Sequence, residues 1–180
     1  MGKDKVFLHI SNETFIERLF LRGRRSFDRV LISTDTKEHA ALIRAVLPPE
    51  EQETEIIIDR YPETGPLGAL CSVFEETDLS DFALLPVDVP NADMEFLLKM
   101  YDRKNSATII IAESENGQYE PLIGVYTKEA YPVLKEALKR HDHKVIRVIA
   151  GSFEAVKFDT EQQKAFRNVN TRTDYKELEA

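Results

Sequence analysis

The sequence has 180 residues, of which 42% are hydrophobic and 31% are charged, so it can build a folded core and is not a disordered tail. The formal net charge of −8, from 24 Lys and Arg against 32 Asp and Glu, argues against a protein that binds duplex nucleic acid. The sequence shows no apolar run of membrane-spanning length and no secretion signal. Its single cysteine, Cys71, excludes an internal disulfide and a cysteine-built metal site. These properties predict a soluble cytoplasmic protein.

Apolar runs alternate with helix-length amphipathic segments along the whole chain. In chain order, the predicted strands are Arg29–Ser33, Thr54–Ile58, Phe82–Val87, Ala107–Ala112, Glu120–Tyr126 and Ala155–Phe158. The predicted helices contain the apolar stripes Phe15–Phe20, Leu42–Leu47, Phe96–Met100 and Val133–Leu138, and a closing helix ends in Leu178. Pro48 and Pro49 are expected to end the second helix. The first four strands contain continuous apolar runs rather than an alternation of apolar and polar residues, which is typical of strands covered on both faces.

Strands that alternate with helices predict crossover connections, a mostly parallel sheet and therefore an α/β fold. The sequence contains no solenoid repeat, low-complexity tract or linker, so residues 1–180 are predicted to form a single domain. In sheets of this kind, ligands bind beyond the carboxyl ends of the strands. Candidate functional residues are therefore those that follow each apolar run.

Acidic residues follow three of the predicted strands, and the first of these strands ends in Ser33-Thr34-Asp35. Asp59 comes directly after Thr54–Ile58, and Asp88 comes directly after Phe82–Val87. An acid at the end of a buried strand is well placed to hold a divalent cation. The alternative for Asp88 is structural: it could cap a helix that starts near Ala92 or form part of a turn.

The segment Gly65-Pro66-Leu67-Gly68 stands at a predicted helix start. Glycines at such a position let backbone N–H groups and the helix N-terminus approach a flat or anionic ligand. The same residues also suit an ordinary turn. The sequence pattern leaves both interpretations open.

Several segments together resemble the molybdenum cofactor guanylyltransferases in order and approximate spacing. These segments are Met1-Gly2-Lys3-Asp4-Lys5, Gly65-Pro66-Leu67-Gly68, Pro86-Val87-Asp88-Val89-Pro90, Glu120-Pro121-Leu122 and Asn168-Val169-Asn170-Thr171. The resemblance covers essentially the whole chain. It implies a three-layer, Rossmann-like nucleotidyltransferase fold of the nucleotide-diphospho-sugar transferase kind.

The resemblance also implies an activity. Enzymes of this family transfer GMP from GTP to the phosphate of molybdopterin and release pyrophosphate. The attacking group is already an ionised phosphate, so no general base is required. The protein instead has to bring two polyanions together and neutralise their charge, for which the family uses Mg²⁺ and a lysine.

The family's site residues can be carried over position by position. Lys5 and Asp88 match the catalytic lysine and acid, and Asp88 and Asn170 match the metal site. The expected nucleotide-binding residues are Lys5, Ser33, Asp59, Gly65, Pro66, Leu67 and Asp88. The expected contacts to the molybdopterin phosphate are Lys144, Arg147 and Asn168, with His141 and His143 nearby. The alternative for this basic cluster is a solvated helix face.

The sequence departs from the family pattern in two places. Ser33 stands where many relatives carry asparagine, which removes a polar contact to the nucleotide. Relatives also begin with an apolar strand and a glycine-rich loop, Leu-Ala-Gly-Gly-x-x-x-x-Arg, ahead of the segment that begins here at Met1. We therefore expect the first, central strand to be missing from this chain and Met1 to be internal to a longer reading frame. If the protein truly starts at Met1, it lacks the loop's backbone donors and is expected to bind GTP poorly or to be inactive.

Two alternatives remain open from the sequence. One is a cytidylyltransferase or another small-molecule nucleotidyltransferase of the same fold, because part of the base selection lies in the absent loop. The other is an inactive remnant or binding module, which the absent loop supports and the joint presence of Lys5, Asp59, Asp88 and Asn170 opposes. The expected partners are GTP and molybdopterin, with transient contacts to proteins that deliver molybdopterin or mature molybdoenzymes, although no residue marks a surface for these contacts.

Overall fold

The computed structural model describes residues 4–179, so Met1, Gly2 and Lys3 of the opening motif lie outside the described residues. The strands are β1 His9–Ile10, β2 Glu13–Thr14, β3 Ile32–Thr34, β4 Ile56–Ile58, β5 Asp81–Leu84, β6 Ile109–Glu113, β7 Tyr119–Thr127 and β8 Glu154–Lys157. The helices are α1 Phe15–Ser26, α2 Lys37–Val46, α3 Pro66–Glu76, α4 Met94–Tyr101, α5 Tyr131–Lys139, α6 Val145–Val148, α7 Thr160–Ala165 and α8 Arg172–Glu179. Every strand and helix predicted from the sequence is confirmed, with shifted ends.

The strands form one four-stranded sheet and two strand pairs. The larger sheet has the order β5-β7-β6-β8, and β3 pairs with β4 in parallel. Within the larger sheet β6 and β8 are parallel, whereas β7 runs antiparallel to both of its neighbours. The α/β fold class is confirmed, and the sheet is mixed because β6 and β7 are joined by a tight connection rather than by a crossover helix. The short β1–β2 pair was not predicted, since two-residue strands leave no periodic signal.

The four-stranded sheet has a hydrophobic core on each face. Alternate residues of its central strands enter opposite cores, as the two-residue period of a strand requires. One core contains Ile110, Ala112, Ile123 and Val125 together with residues of α4, and the other contains Ile109, Ile111 and Tyr126 together with residues of α3 and α5. This arrangement gives the three layers that the sequence predicts. The thiol of Cys71 lies fully buried in the α3 core.

The parallel pair β3–β4 is not joined to the larger sheet. Over residues 4–179, β3 forms a ladder with β4 alone and β5 forms a ladder with β7 alone. The residues of β5 are consequently only partly buried, although the sequence predicted a strand covered on both faces.

The helix ends follow the capping chemistry of the sequence. α1 begins with a capping box between Thr14 and Glu17, and α2 ends at Val46, just before Pro48. The proposal that Asp88 caps the next helix is wrong. That helix is α4, and its cap is Asp93, whose side chain accepts hydrogen bonds from the N–H groups of Glu95 and Phe96. No helix within residues 4–179 has the length and apolar character to cross a membrane.

Candidate functional site

Three of the predicted site residues meet in one place. The Lys5 ammonium lies 3.5 Å from Asp88 Oδ2 and donates a hydrogen bond to Asn170 Oδ1. These residues are separated by 83 and 165 positions in the sequence, so only the fold brings them together. The site lies just after β5, where the sequence predicted ligand chemistry.

Backbone contacts fix the positions of these three side chains. The Asp4 carboxylate caps the short 3₁₀ helix Lys5–Phe7, because it accepts a hydrogen bond from Val6 N at 3.1 Å. The same carboxylate lies 2.9 Å from His39 Nε2. On the other side of the site, Val169 N donates to the carbonyl of Asp88 at 2.8 Å. The segment that carries Asn170 is thereby tied to the end of β5.

One carboxylate oxygen of Asp88 is buried without a hydrogen-bond partner among the described residues. Its Oδ1 atom is buried and accepts no hydrogen bond, although Oδ2 faces Lys5. A buried carboxylate oxygen without a donor is costly, and it indicates a position for a bound cation or donor. Burial, together with the charge of Asp88, also raises the pKa of Glu120, so a second carboxyl group lies within electrostatic reach.

This donor set is suited to a hydrated magnesium ion rather than to a closed metal cage. Among the residues that the structure describes, no three His, Cys, Asp or Glu side chains form a group able to hold a metal. Mg²⁺ usually binds through one or two carboxylates, several waters and the phosphates of its substrate. The free Oδ1 of Asp88 and the amide oxygen of Asn170 match that description.

Asp59 supports the neighbouring loop instead of standing free. Its Oδ1 accepts hydrogen bonds from Tyr61 N at 2.8 Å and from Ser72 Oγ at 2.9 Å. Its own N–H donates to the carbonyl of Thr34 at the end of β3. Ser33, the other predicted pocket residue on this pair of strands, is exposed on β3. Nucleotide contacts by Asp59 and Ser33 stay predictions.

The loop Tyr61–Gly65 leads into α3 through a backbone conformation that requires glycine. Gly65 has φ +62° and ψ −149°, a combination that side chains rarely tolerate, and Glu63 also has a positive φ of 67°. Pro66 is exposed at the first position of α3, whereas the Leu67 side chain is fully buried in the core. Leu67 could therefore meet a nucleotide only through its backbone.

Gly68 is needed because the loop packs directly against it. A Cβ atom at this position would lie 2.1 Å from Thr64 Oγ1 and 2.9 Å from the carbonyl oxygen of Tyr61. Thr64 can rotate away, but the Tyr61 backbone cannot move without displacing the loop. The loop and the start of α3 therefore form one unit.

We expect Gly68→Ala to weaken GTP binding about tenfold by displacing this loop, the equivalent of about 1.4 kcal/mol. Titration calorimetry would measure the affinity, and thermal unfolding would measure the accompanying loss of stability. Gly151→Ala is the control, because Gly151 also has a positive φ of 79° but a Cβ there meets no atom within 4 Å. The control should lose stability and keep its affinity; equal losses of affinity would contradict the prediction.

The residues predicted for the molybdopterin phosphate do not form one group. Arg147 on α6 is paired with Asp142, with its Nε 2.9 Å from both carboxylate oxygens, and Lys144 directly precedes α6. The rings of His141 and His143 lie 6.2 Å apart in the same region. Asn168 instead belongs to the segment that reaches Asp88, beside Val169. Asn168 is thus the chain neighbour of a residue that contacts the Lys5 site, whereas the described side-chain partner of Arg147 is Asp142, and the role of each stays a prediction.

A second polar cluster lies beside the loop, and sequence reasoning missed it. Glu75 on α3 accepts hydrogen bonds from Tyr61, Tyr131 and Lys135. The spacing of Tyr131 and Lys135 places them on one face of α5, but nothing in the sequence links that face to Glu75 or Tyr61.

Comparison with models of protein families places most of the chain in one family. Residues 1–157 match the model of the MobA-like NTP transferase domain, which is most of the chain. The chain belongs to this family. The motifs that carried the resemblance in the sequence therefore correspond to a real family relationship.

Individual relatives agree with this assignment. The chain is 28% identical over 191 aligned positions to a probable molybdenum cofactor guanylyltransferase of Carboxydothermus hydrogenoformans, with 99% of this chain and 88% of the relative covered. Its fold resembles molybdopterin-guanine dinucleotide biosynthesis protein A of Archaeoglobus fulgidus, with a TM-score of 0.83, 19% identity and coverage of 99% and 90%. It also resembles 2-C-methyl-D-erythritol 4-phosphate cytidylyltransferase of Thermus thermophilus, with a TM-score of 0.69, 11% identity and coverage of 99% and 93%. The fold alone is therefore shared by proteins named for different nucleotides.

Proposed function

We propose that this protein transfers the guanylyl group of GTP to the phosphate of molybdopterin and releases pyrophosphate. The observation that carries the proposal is the meeting of Lys5, Asp88 and Asn170 at the end of β5, with one oxygen of Asp88 buried and unpaired. Family membership and the names of the relatives support the choice of reaction.

In the proposed reaction, an oxygen of the molybdopterin phosphate attacks the α-phosphorus of GTP. A new P–O bond forms as the bond from the α-phosphorus to the bridging oxygen breaks, and that oxygen leaves with pyrophosphate. No proton has to be removed from the ionised nucleophile. The main demands on the protein are therefore alignment of the two substrates and neutralisation of negative charge.

The charges of the site are suited to these demands. Asp88 Oδ1 and Asn170 Oδ1 would hold Mg²⁺, which when bound supplies positive charge to the triphosphate oxygens. Lys5 carries its ammonium on a flexible stem, with its side chain 32% exposed, so it can turn from Asn170 towards a phosphate. By the family resemblance, Gly65 to Gly68 would form the wall of the pocket nearest the base, and the loop Tyr61–Gly65 leads into this wall.

The experiment is a pyrophosphate-release assay with purified protein, molybdopterin, Mg²⁺ and either GTP or CTP, with the product identified by mass. We expect GTP to be used at least about tenfold better than CTP, a preference of about 1.4 kcal/mol. A preference for CTP would favour the cytidylyltransferase alternative, which the fold shared with the T. thermophilus enzyme keeps open. Absence of release with both nucleotides would contradict the proposal and favour a binding module.

A further inference from the structure

A polar cluster outside the proposed catalytic residues lies where α3, α5 and the loop Tyr61–Gly65 meet. We call it the Glu75 cluster; it consists of Glu75, Lys135, Tyr61 and Tyr131. Glu75 Oε1 lies 2.7 Å from Lys135 Nζ and accepts from the Tyr131 hydroxyl at 2.6 Å, while Oε2 accepts from the Tyr61 hydroxyl at 2.6 Å. Lys135 Nζ also lies 4.3 Å from the centre of the Tyr61 ring, a cation–π distance.

This cluster is well shielded for a group of charges. The side chain of Glu75 is only 14% exposed, and that of Lys135 is 29% exposed. Partial burial would raise the pKa of Glu75, but the hydrogen bonds from Lys135, Tyr131 and Tyr61 lower it to about 2. Glu75 is thus ionised throughout the physiological range, and its contacts act as charge-assisted hydrogen bonds, which are stronger than neutral ones.

The cluster reaches the loop through Tyr61, and Arg60, which directly precedes the loop, also lies 3.4 Å from Glu75 Oε2. Tyr61 starts the loop, and its hydroxyl contacts Glu75 of α3 and Lys135 of α5, while its carbonyl packs against Gly68 of α3. The same residue accepts from Thr64 Oγ1 through its carbonyl at 2.6 Å, and its N–H is held by Asp59. With positive φ angles at Glu63 and Gly65, the loop has a conformation that costs free energy and needs such external contacts to persist.

We propose that Glu75, Lys135 and Tyr131 are positioning residues that hold Tyr61, and with it the loop Tyr61–Gly65, in place against the base of a bound nucleoside triphosphate. This inference rests on the proposed function, because that function places the base against the wall into which this loop leads. Glu75, Lys135 and Tyr131 act through Tyr61 and need not touch the ligand. Their effect is therefore specific to the base end of the nucleotide and absent from its phosphate end, where Lys5 and Asp88 lie.

The fold contains a chemically matched cluster that can serve as a control. Asp81 at the start of β5 lies 2.8 Å from Lys104 Nζ and accepts from the Tyr101 hydroxyl, and Lys104 lies 4.3 Å from the centre of the Tyr101 ring. The side chains of Asp81 and Lys104 are 14% and 31% exposed, which is close to the values for Glu75 and Lys135. This second cluster joins α4 to β5 and has no described contact with the loop.

The test compares Glu75→Gln and Lys135→Met with the control variants Asp81→Asn and Lys104→Met. Equilibrium binding of GTP and of inorganic triphosphate, which lacks a base, is measured for each protein in Mg²⁺. Hydrogen exchange of the backbone amides of residues 61–68 is measured without ligand. We expect Glu75→Gln and Lys135→Met to weaken GTP binding about tenfold, a cost of about 1.4 kcal/mol, to leave triphosphate binding within about twofold, and to speed exchange in the loop.

The control variants should change none of these three quantities, even where they lower stability by a similar amount. The inference alone would be overturned if the wild-type protein binds GTP and both Glu75 cluster variants match it in GTP affinity and in hydrogen exchange of the loop. Equal weakening of GTP and triphosphate would also overturn it, since the effect would then be a general loss of structure. A wild-type protein that binds no GTP would overturn the proposed function and this inference together. Use of two variants keeps the test decisive if one of them does not fold.

Discussion

Asp88→Asn is expected to lower pyrophosphate release about a thousandfold while leaving the fold intact. Asparagine has the shape of aspartate but carries no charge, so it cannot offer a carboxylate to Mg²⁺ or an ion pair to Lys5. Loss of a single group that stabilises developing charge typically costs two to three orders of magnitude in rate, on the order of 10²–10³. The loss should fall on kcat, because the missing interaction neutralises charge during phosphoryl transfer.

Stability should respond in the opposite direction. Asp88 Oδ1 is buried without a hydrogen-bond partner, so the charge is costly in the folded protein without metal. Its removal is expected to leave the free energy of unfolding unchanged or to raise it by up to about 1 kcal/mol. Thermal unfolding of the wild type and the variant without ligand measures this difference.

Asp93→Asn is the matched control for this change. Asp93 lies in the same segment, but it caps α4 through its side-chain oxygen, and asparagine caps helices about as well as aspartate. The control should therefore retain wild-type activity. Asp88→Asn activity within tenfold of the wild type, or an equal loss in Asp93→Asn, would contradict the assigned role of Asp88.

Gly124→Ala is expected to destabilise the protein by about 3 kcal/mol, the upper end of the usual cost of overpacking. Gly124 lies in β7 between Leu84 of β5 and Ile111 of β6, so ladders on both sides hold its backbone. A Cβ atom here would lie 2.7 Å from the carbonyl oxygen of Ile110 and 3.2 Å from Ile111 Cγ2. A backbone oxygen inside a sheet cannot rotate away, so the strands would have to separate.

Urea unfolding would measure the loss, and Gly23→Ala provides the comparison. The nearest atom to a Cβ at Gly23 is Cγ2 of Val30 at 3.3 Å, a side-chain methyl that can shift slightly. Alanine also favours the helical conformation of α1, so the control should change the unfolding free energy by less than about 1 kcal/mol. Similar stabilities for Gly124→Ala and Gly23→Ala would show that β7 can move and that the close approach is not restrictive.

The sequence predicted the elements of this fold better than their connections. Continuous apolar runs such as Ile109–Ile111 identify buried strands, and proline and capping residues limit the helices. The antiparallel direction of β7 and its register shift opposite Ile111 and Ala112 depend on pairing between distant residues, which leaves no local pattern. The alternative role of Asp88 as the cap of α4 arose because both Asp88 and Asp93 precede the same apolar stripe, and the structure assigns the cap to Asp93.

Only those residues of the candidate site that belong to sequence motifs could be predicted. Lys5, Asp88 and Asn170 were selected by resemblance, and the structure brings them together. The network around Glu75 was missed because its members come from a loop and two helices. In the sequence, each of these residues has the character of an ordinary surface residue. Burial and hydrogen bonding, which distinguish Glu75 from any other glutamate, arise only when α3 packs against α5.

The buried thiol of Cys71 makes thiol labelling a probe of local unfolding in this protein. The chain has one cysteine, and burial raises the pKa of this thiol to about 12, so almost none of it is the reactive thiolate in the native state. A thiol reagent can therefore modify the chain only after α3 has separated from the sheet. Each molecule can acquire one label at this thiol. The rate of labelling therefore measures how often this core opens and becomes exposed to solvent.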